Sequence, residues 1–159
     1  MKYTILCKNI AKWTYKIVHE NQDLYDYIEY KVDKGSGLEG WLKVKFISAV
    51  GNKICPRYTI KSGGAGHKQK RKKKYPDLII EKNNSRLYVE LKGATNWQDD
   101  LKRYKKREWL GVFIKRGTKE LSDKQIRELR KYSKIIMYEK ITKEKNGKSF
   151  YFGVVFFNK

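Results

Sequence analysis

The sequence predicts an α/β or α+β fold, one mixed sheet with helices packed on it, and three observations carry that reading. Apolar residues recur at helical spacing in several stretches, compact β-forming runs stand between them, and turn residues separate those runs. A chain of 159 residues that is 40% hydrophobic fits one domain with one real core. Its parts read as an N-terminal helical extension over 1–34, a core over 35–141 and a C-terminal hairpin strand over 142–159.

Over 9–31, Ile10, Trp13, Ile17, Leu24 and Ile28 are spaced mostly three, four and seven apart, as in one amphipathic helix or two broken near Asn21. Ser36 and Glu39 form an S-x-x-E capping signature ahead of Leu38, Trp41, Leu42, Phe46 and Ala49. A helix is therefore expected over about 37–50, stopped by Gly51 and Asn52. Ile54 to Lys61 reads as a strand, with Pro56 suited to an edge or a strand start. The SGGAGH stretch at 62–67 lacks the G-K-[ST] ending of a phosphate loop.

PDLII at 76–80 and RLYVEL at 86–91 flank the turn-forming EKNNS, a hairpin signal, and Gly93 ends the second strand. Residues 97–109 set Trp97, Leu101 and Tyr104 against a strongly basic face, which predicts a helix. LGVFIK at 110–115 suits an interior strand. Ser122 with Gln125, flanked by Leu121 and Ile126, gives a capping box and hydrophobic staple for a helix over 122–133. KIIMYEKI and SFYFGVVFF around Asn146 and Gly147 close the chain as a β-hairpin.

Charge narrows the partner. The 38 Lys and Arg against 17 Asp and Glu leave a formal net charge of +21. Such a field attracts a polyanion by steered encounter and counterion release, so nucleic acid is the expected partner. A generically basic surface is the alternative that charge alone leaves open. Cys7 and Cys55 lack metal-site pairing and read as reduced, buried thiols. No apolar run approaches the roughly 20 residues that span a bilayer, and Lys8 and Lys12 interrupt the N-terminus, so a soluble cytoplasmic protein without membrane association is expected.

Chemistry concentrates on the central hairpin. Asp77 opens one strand, while Glu90 and Lys92, two apart on the next, share one sheet face. Two carboxylates at a common strand end suit a hard divalent cation, which takes oxygen ligands together with waters and phosphate oxygens. The carbonyl of Leu91 offers a further oxygen. Lys92 beside an attacking water would orient or deprotonate it and offset charge developing on phosphorus. The bland alternative makes Glu90 and Lys92 a solvent-facing pair and Asp77 a turn residue.

These residues, PDLII followed by LYVELK, resemble the PD-(D/E)XK nuclease superfamily of restriction enzymes and Holliday-junction resolvases, and the resemblance covers about 37–140. It implies a restriction-endonuclease-like α/β core, with a mixed central sheet flanked by helices, that hydrolyses DNA. In that family a helix ahead of the motif often carries another acidic metal-site residue. Glu39 matches it best, with its capping role as a complete alternative and Glu29 and Glu20 as weaker substitutes. The expected site is therefore Asp77, Glu90, Lys92 and Glu39, with magnesium, or manganese, held by Asp77, Glu90, the Leu91 carbonyl and Glu39.

Arg57, the arm Lys68, Lys70, Arg71, Lys72, Lys73 and Lys74, and the basic face with Lys102, Arg103 and Lys106 are the expected DNA backbone contacts. A homodimer is expected because cutting both strands needs two sites, with the C-terminal hairpin or the N-terminal helices as surfaces. A structure-specific resolvase and a non-catalytic basic binding module are the competing readings. His67 could act as an acid or contact DNA but, as a lone histidine in a basic loop, reads as exposed, and His19 has no partner spacing for a metal pair; both are left outside the site.

Overall fold

The computed structural model describes residues 3–21, 38–62, 76–92, 108–116, 121–142 and 149–157. Its sheet turns on Asn83 and Asn84, which hold φ values of 45° and 62°. Asparagine tolerates this left-handed region better than most residues, and a two-residue hairpin turn of matching twist requires it. The turn joins β2 (Leu78–Lys82) to β3 (Ser85–Lys92), paired antiparallel from Leu78↔Val89 to Lys82↔Ser85. β1 (Thr59–Ser62) pairs with the outer side of β2. On the other side of β3, β4 (Trp109–Arg116) runs parallel, with Glu90 beside Gly111 and Lys92 beside Phe113. β5 (Lys134–Thr142) and β6 (Ser149–Phe157) form the expected terminal hairpin, and β6 pairs with β4.

The strand order is β1-β2-β3-β4-β6-β5. With three helices among the described residues, α1 (Thr4–Glu20), α2 (Leu38–Ile54) and α3 (Asp123–Tyr132), the class is α/β with a six-stranded mixed sheet. The period of two divides the sheet into two apolar layers. Leu87, Val89 and Leu91 of β3, Leu110, Val112 and Ile114 of β4 and Phe152, Val154 and Phe156 of β6 form one core with Cys7 and Ile10 of α1 and Leu42 and Phe46 of α2. On the opposite face Trp109, Phe113, Val155 and Phe157 pack with Leu121 and Leu129. Glu90 and Lys92 alternate with Val89 and Leu91, so they belong to this second face.

Several boundaries differ from expectation. α1 begins at Thr4, because Cys7, Ile10, Ala11, Thr14 and Val18 already make a buried stripe, and it ends at Glu20 with Asn21 as its cap. The rest of the expected 9–31 helical stretch lies outside the described residues. α2 runs through Gly51 and Asn52 to Ile54. A helical glycine costs about 1 kcal/mol relative to alanine, and burial of Val50 and Ile54 on either side outweighs it. The expected 54–61 strand shortens to β1, its beginning taken by the end of α2 and the Cys55–Arg57 turn. Cys7 is a buried thiol, pushed up to about 12 chiefly by burial, but Cys55 stands in that turn and is exposed. Trp109, placed by periodicity at the end of a 97–109 helix, begins β4; residues 93–107 lie outside the described ones. Among the described residues no helix is long and apolar enough to cross a membrane.

Candidate active site

β2 pairs with β3 only as far as Leu78↔Val89. Two positions further along β3, the N–H of Leu91 donates to Asp77 Oδ2 at 2.7 Å. The Asp77 side chain thus continues the ladder where the β2 backbone leaves it, which fixes a carboxylate beside the stretch that carries Glu90 and Lys92. One oxygen is committed to a backbone donor; the other is what Asp77 can offer a ligand. The strand pairing that ends one residue after Asp77 therefore positions it.

Glu90 is one of the few buried polar residues described, with 5% of its surface exposed. Its neighbours across the sheet are Gly111 on β4 and, beyond that, Val155 on β6. A carboxylate in such surroundings needs an opposing charge, and Lys92 supplies it: Nζ lies 2.8 Å from Glu90 Oε1. Lys92 ends β3, and there its ammonium also meets Glu39, in the first turn of α2, at 3.8 Å from Oε1. Glu39, Glu90 and Lys92 thus form one ion cluster from α2 and β3, while Asp77, on the approach to β2, is held at the backbone of Leu91, the residue between Glu90 and Lys92. Exposure is graded, with side chains 6% exposed at Glu90, 24% at Lys92 and 47% at Glu39. Ser36, the capping partner that competes for Glu39, lies outside the described residues.

A small depression, with a volume of about 10 Å³, adjoins Glu90 and Lys92 and is otherwise walled by Trp109, Gly111, Val112, Phe113 and Val155. Gly111 fits closely there, since a Cβ would stand 3.0 Å from both the Trp109 ring and Val155 Cγ2 and these side chains would have to give by a few tenths of an ångström. The Trp109 ring stacks on Phe157 at 3.8 Å between centroids. This wall and the Leu91 N–H were absent from the expected site. Their signal was in the sequence as Gly111, a small residue inside an otherwise bulky β run at the position that registers with Glu90.

Among the described residues no three carboxylate, imidazole or thiolate groups are arranged to hold a metal by themselves. The donor set fits a different type of site, in which a hard cation takes one or two carboxylates and completes its shell with waters and substrate oxygens. Asp77 and Glu90 are that pair, and the near-burial of Glu90 makes its carboxylate a strong attractor of positive charge. The contrast is Glu81, which spans three strands by accepting from Lys61 and, at 2.7 Å, from Arg86. The Lys61 hydrogen bond, with help from Arg86, holds it below the ordinary carboxylate value. It reads as a surface ion cluster.

Of the expected DNA contacts, Arg57 is described and exposed, in the turn before β1. Lys68, Lys70, Arg71, Lys72, Lys73, Lys74, Lys102, Arg103 and Lys106 lie outside the described residues, as do His67 and Glu29. Glu20 is exposed at the end of α1, 4.0 Å from Lys16, and the site contacts do not include it. No family model matches the chain, and comparison with curated proteins and with solved structures returns no match.

Proposed function

We propose that the protein is a divalent-metal-dependent deoxyribonuclease with a restriction-endonuclease-like core, and that Asp77, Glu90 and Lys92 form its catalytic centre. One observation carries the reading: Lys92 meets a nearly buried Glu90 at 2.8 Å beside an Asp77 carboxylate clamped to the adjacent backbone. A glutamate that is 5% exposed is unlike the solvent-facing pair of the structural alternative, which supports the catalytic reading. Buried ion pairs contribute little net stability compared with apolar replacements, whereas sites of chemistry use them.

Asp77 and Glu90 would hold magnesium, or manganese, with the Leu91 carbonyl as a further oxygen; Glu39, expected as another donor, instead faces the ammonium of Lys92 and makes no third carboxylate with them. The ion would supply charge stabilisation for a phosphodiester under attack by water. By holding that ion, Glu90 and Asp77 would set the position of the scissile phosphate. Lys92, as its ammonium, would orient the attacking water by donating to its oxygen and offset charge developing on the phosphoryl oxygens. The net charge of +21 draws the polyanionic substrate in, with Arg57 and the basic stretches at 68–74 and 102–107 on its backbone. A homodimer would bring the second site that double-strand cleavage needs; Val44 and Ile47 of α2, 65% and 41% exposed, mark one apolar surface on the helical side.

The test is incubation of plasmid, linear single-stranded and four-way-junction DNA with wild type, Asp77→Ala and Lys92→Ala, each with magnesium or with EDTA. Magnesium-dependent cutting by wild type, lost in both variants, is expected. Selective cutting of the junction would make the protein a structure-specific resolvase of the same chemistry. Tight binding with no cutting of any substrate would make it a basic binding module and end the nuclease reading.

A further inference from the structure

The ammonium of Lys92 stands where a cation for Glu90 belongs. It is 2.8 Å from one Glu90 oxygen and 3.8 Å from a Glu39 oxygen, so it bridges two carboxylates from two elements. Hard divalent ions approach carboxylate oxygens at about 2.0–2.6 Å and compete for the same lone pairs. With Glu90 nearly buried, the positive charges facing it share a small space and a weakly screening environment. We propose that Lys92 is the resident cation of the site: it balances Glu90 and Glu39 before a divalent ion arrives, and it must withdraw from Glu90 when one binds. This rests on the metal-dependent reading of the site and adds an exchange step to it.

The residue type suits that step. A lysine carries a compact point charge on a flexible four-carbon stem, so the charge can leave one oxygen without moving the strand. Lys92 is the last residue of β3, and its side chain is 24% exposed, so solvent lies within its reach. Glu39 gives the displaced ammonium a second carboxylate, on α2, to remain near. The ammonium therefore costs the site divalent affinity while keeping its acids arranged. In the metal-bound state it stands next to the attacking water, with its donors no longer held by Glu90.

The experiment is manganese titration of the full chain without DNA, by isothermal calorimetry, together with thermal melts with and without manganese. Wild type, Lys92→Met, Lys92→Arg and Glu90→Gln are compared, with Lys92→Gln as the neutral variant if Lys92→Met does not fold. Removal of the charge is expected to tighten manganese binding by about tenfold. The neutral variant should melt below wild type without metal and gain more from manganese, while Lys92→Arg should keep the weaker affinity. Equal or weaker binding by the neutral variant, with binding lost in Glu90→Gln, would overturn the exchange and leave the metal site standing. Absence of manganese binding to every form would overturn both.

Discussion

Gly153 shows how little freedom single positions near the site have. It registers with Phe113, and a Cβ there would fall 2.1 Å from Cζ of that ring and within 2.7 Å of two further ring atoms. The aromatic ring occupies the space above the glycine, so Gly153→Ala must push Phe113 out of its place beside Lys92. Overpacking of this kind costs about 1–3 kcal/mol, and urea denaturation should show a lowered midpoint with an unchanged slope. A variant as stable as wild type would mean the ring has room to move. The acidic and basic members of the site were legible at this scale because a strand's period of two puts Glu90 and Lys92 on one face and a hairpin returns Asp77 beside them. The hydrogen bond from Leu91 N–H to Asp77 was not, because it depends on where β2 stops pairing, and the sequence placed Asp77 inside that strand rather than just before it.

At the scale of elements, local signals were most reliable where they close on themselves. The Ser122 side chain accepts from Gln125 N at 3.3 Å while the Gln125 side chain accepts from Ser122 N at 2.9 Å, the reciprocal pair that the S-x-x-Q spacing announces. Leu121, Ile126 and Leu129 then pack α3 on the aromatic face of the sheet, and the Tyr138 hydroxyl oxygen of β5 accepts from the Leu121 N–H. Ser122→Ala should lower stability by about 1 kcal/mol, which corresponds to a fall of roughly 2–4 °C in Tm for a chain of this size. An unchanged Tm would show that tertiary packing alone holds the helix. α2 was harder to delimit: its outward face carries Gly40, Val44, Ile47 and Gly51 while Leu42, Phe46, Ala49 and Val50 are buried inward. Apolar residues on both faces blur the periodicity that marks a helix end.

For the whole molecule, the hairpins β2–β3 and β5–β6 were readable from adjacent β runs and turn residues, whereas the parallel β3–β4 pair and the insertion of β6 between β4 and β5 depend on non-local pairing. The net charge belongs to this scale too. If the basic residues hold the DNA backbone, log K for a duplex should fall linearly with log salt, with a slope of about −0.9 per phosphate neutralised; affinity independent of salt would remove the electrostatic account. The proposed nuclease chemistry rests on the positive field, the clamped Asp77 and the Glu90–Lys92 pair. Its most direct test is Glu90→Gln, which keeps the shape of the buried side chain and removes only its charge. Compared with wild type in single-turnover plasmid cleavage with magnesium, the variant should keep its affinity for DNA and lose cleavage by about a hundredfold or more. Cleavage at the wild-type rate by Glu90→Gln would contradict the proposed catalytic centre.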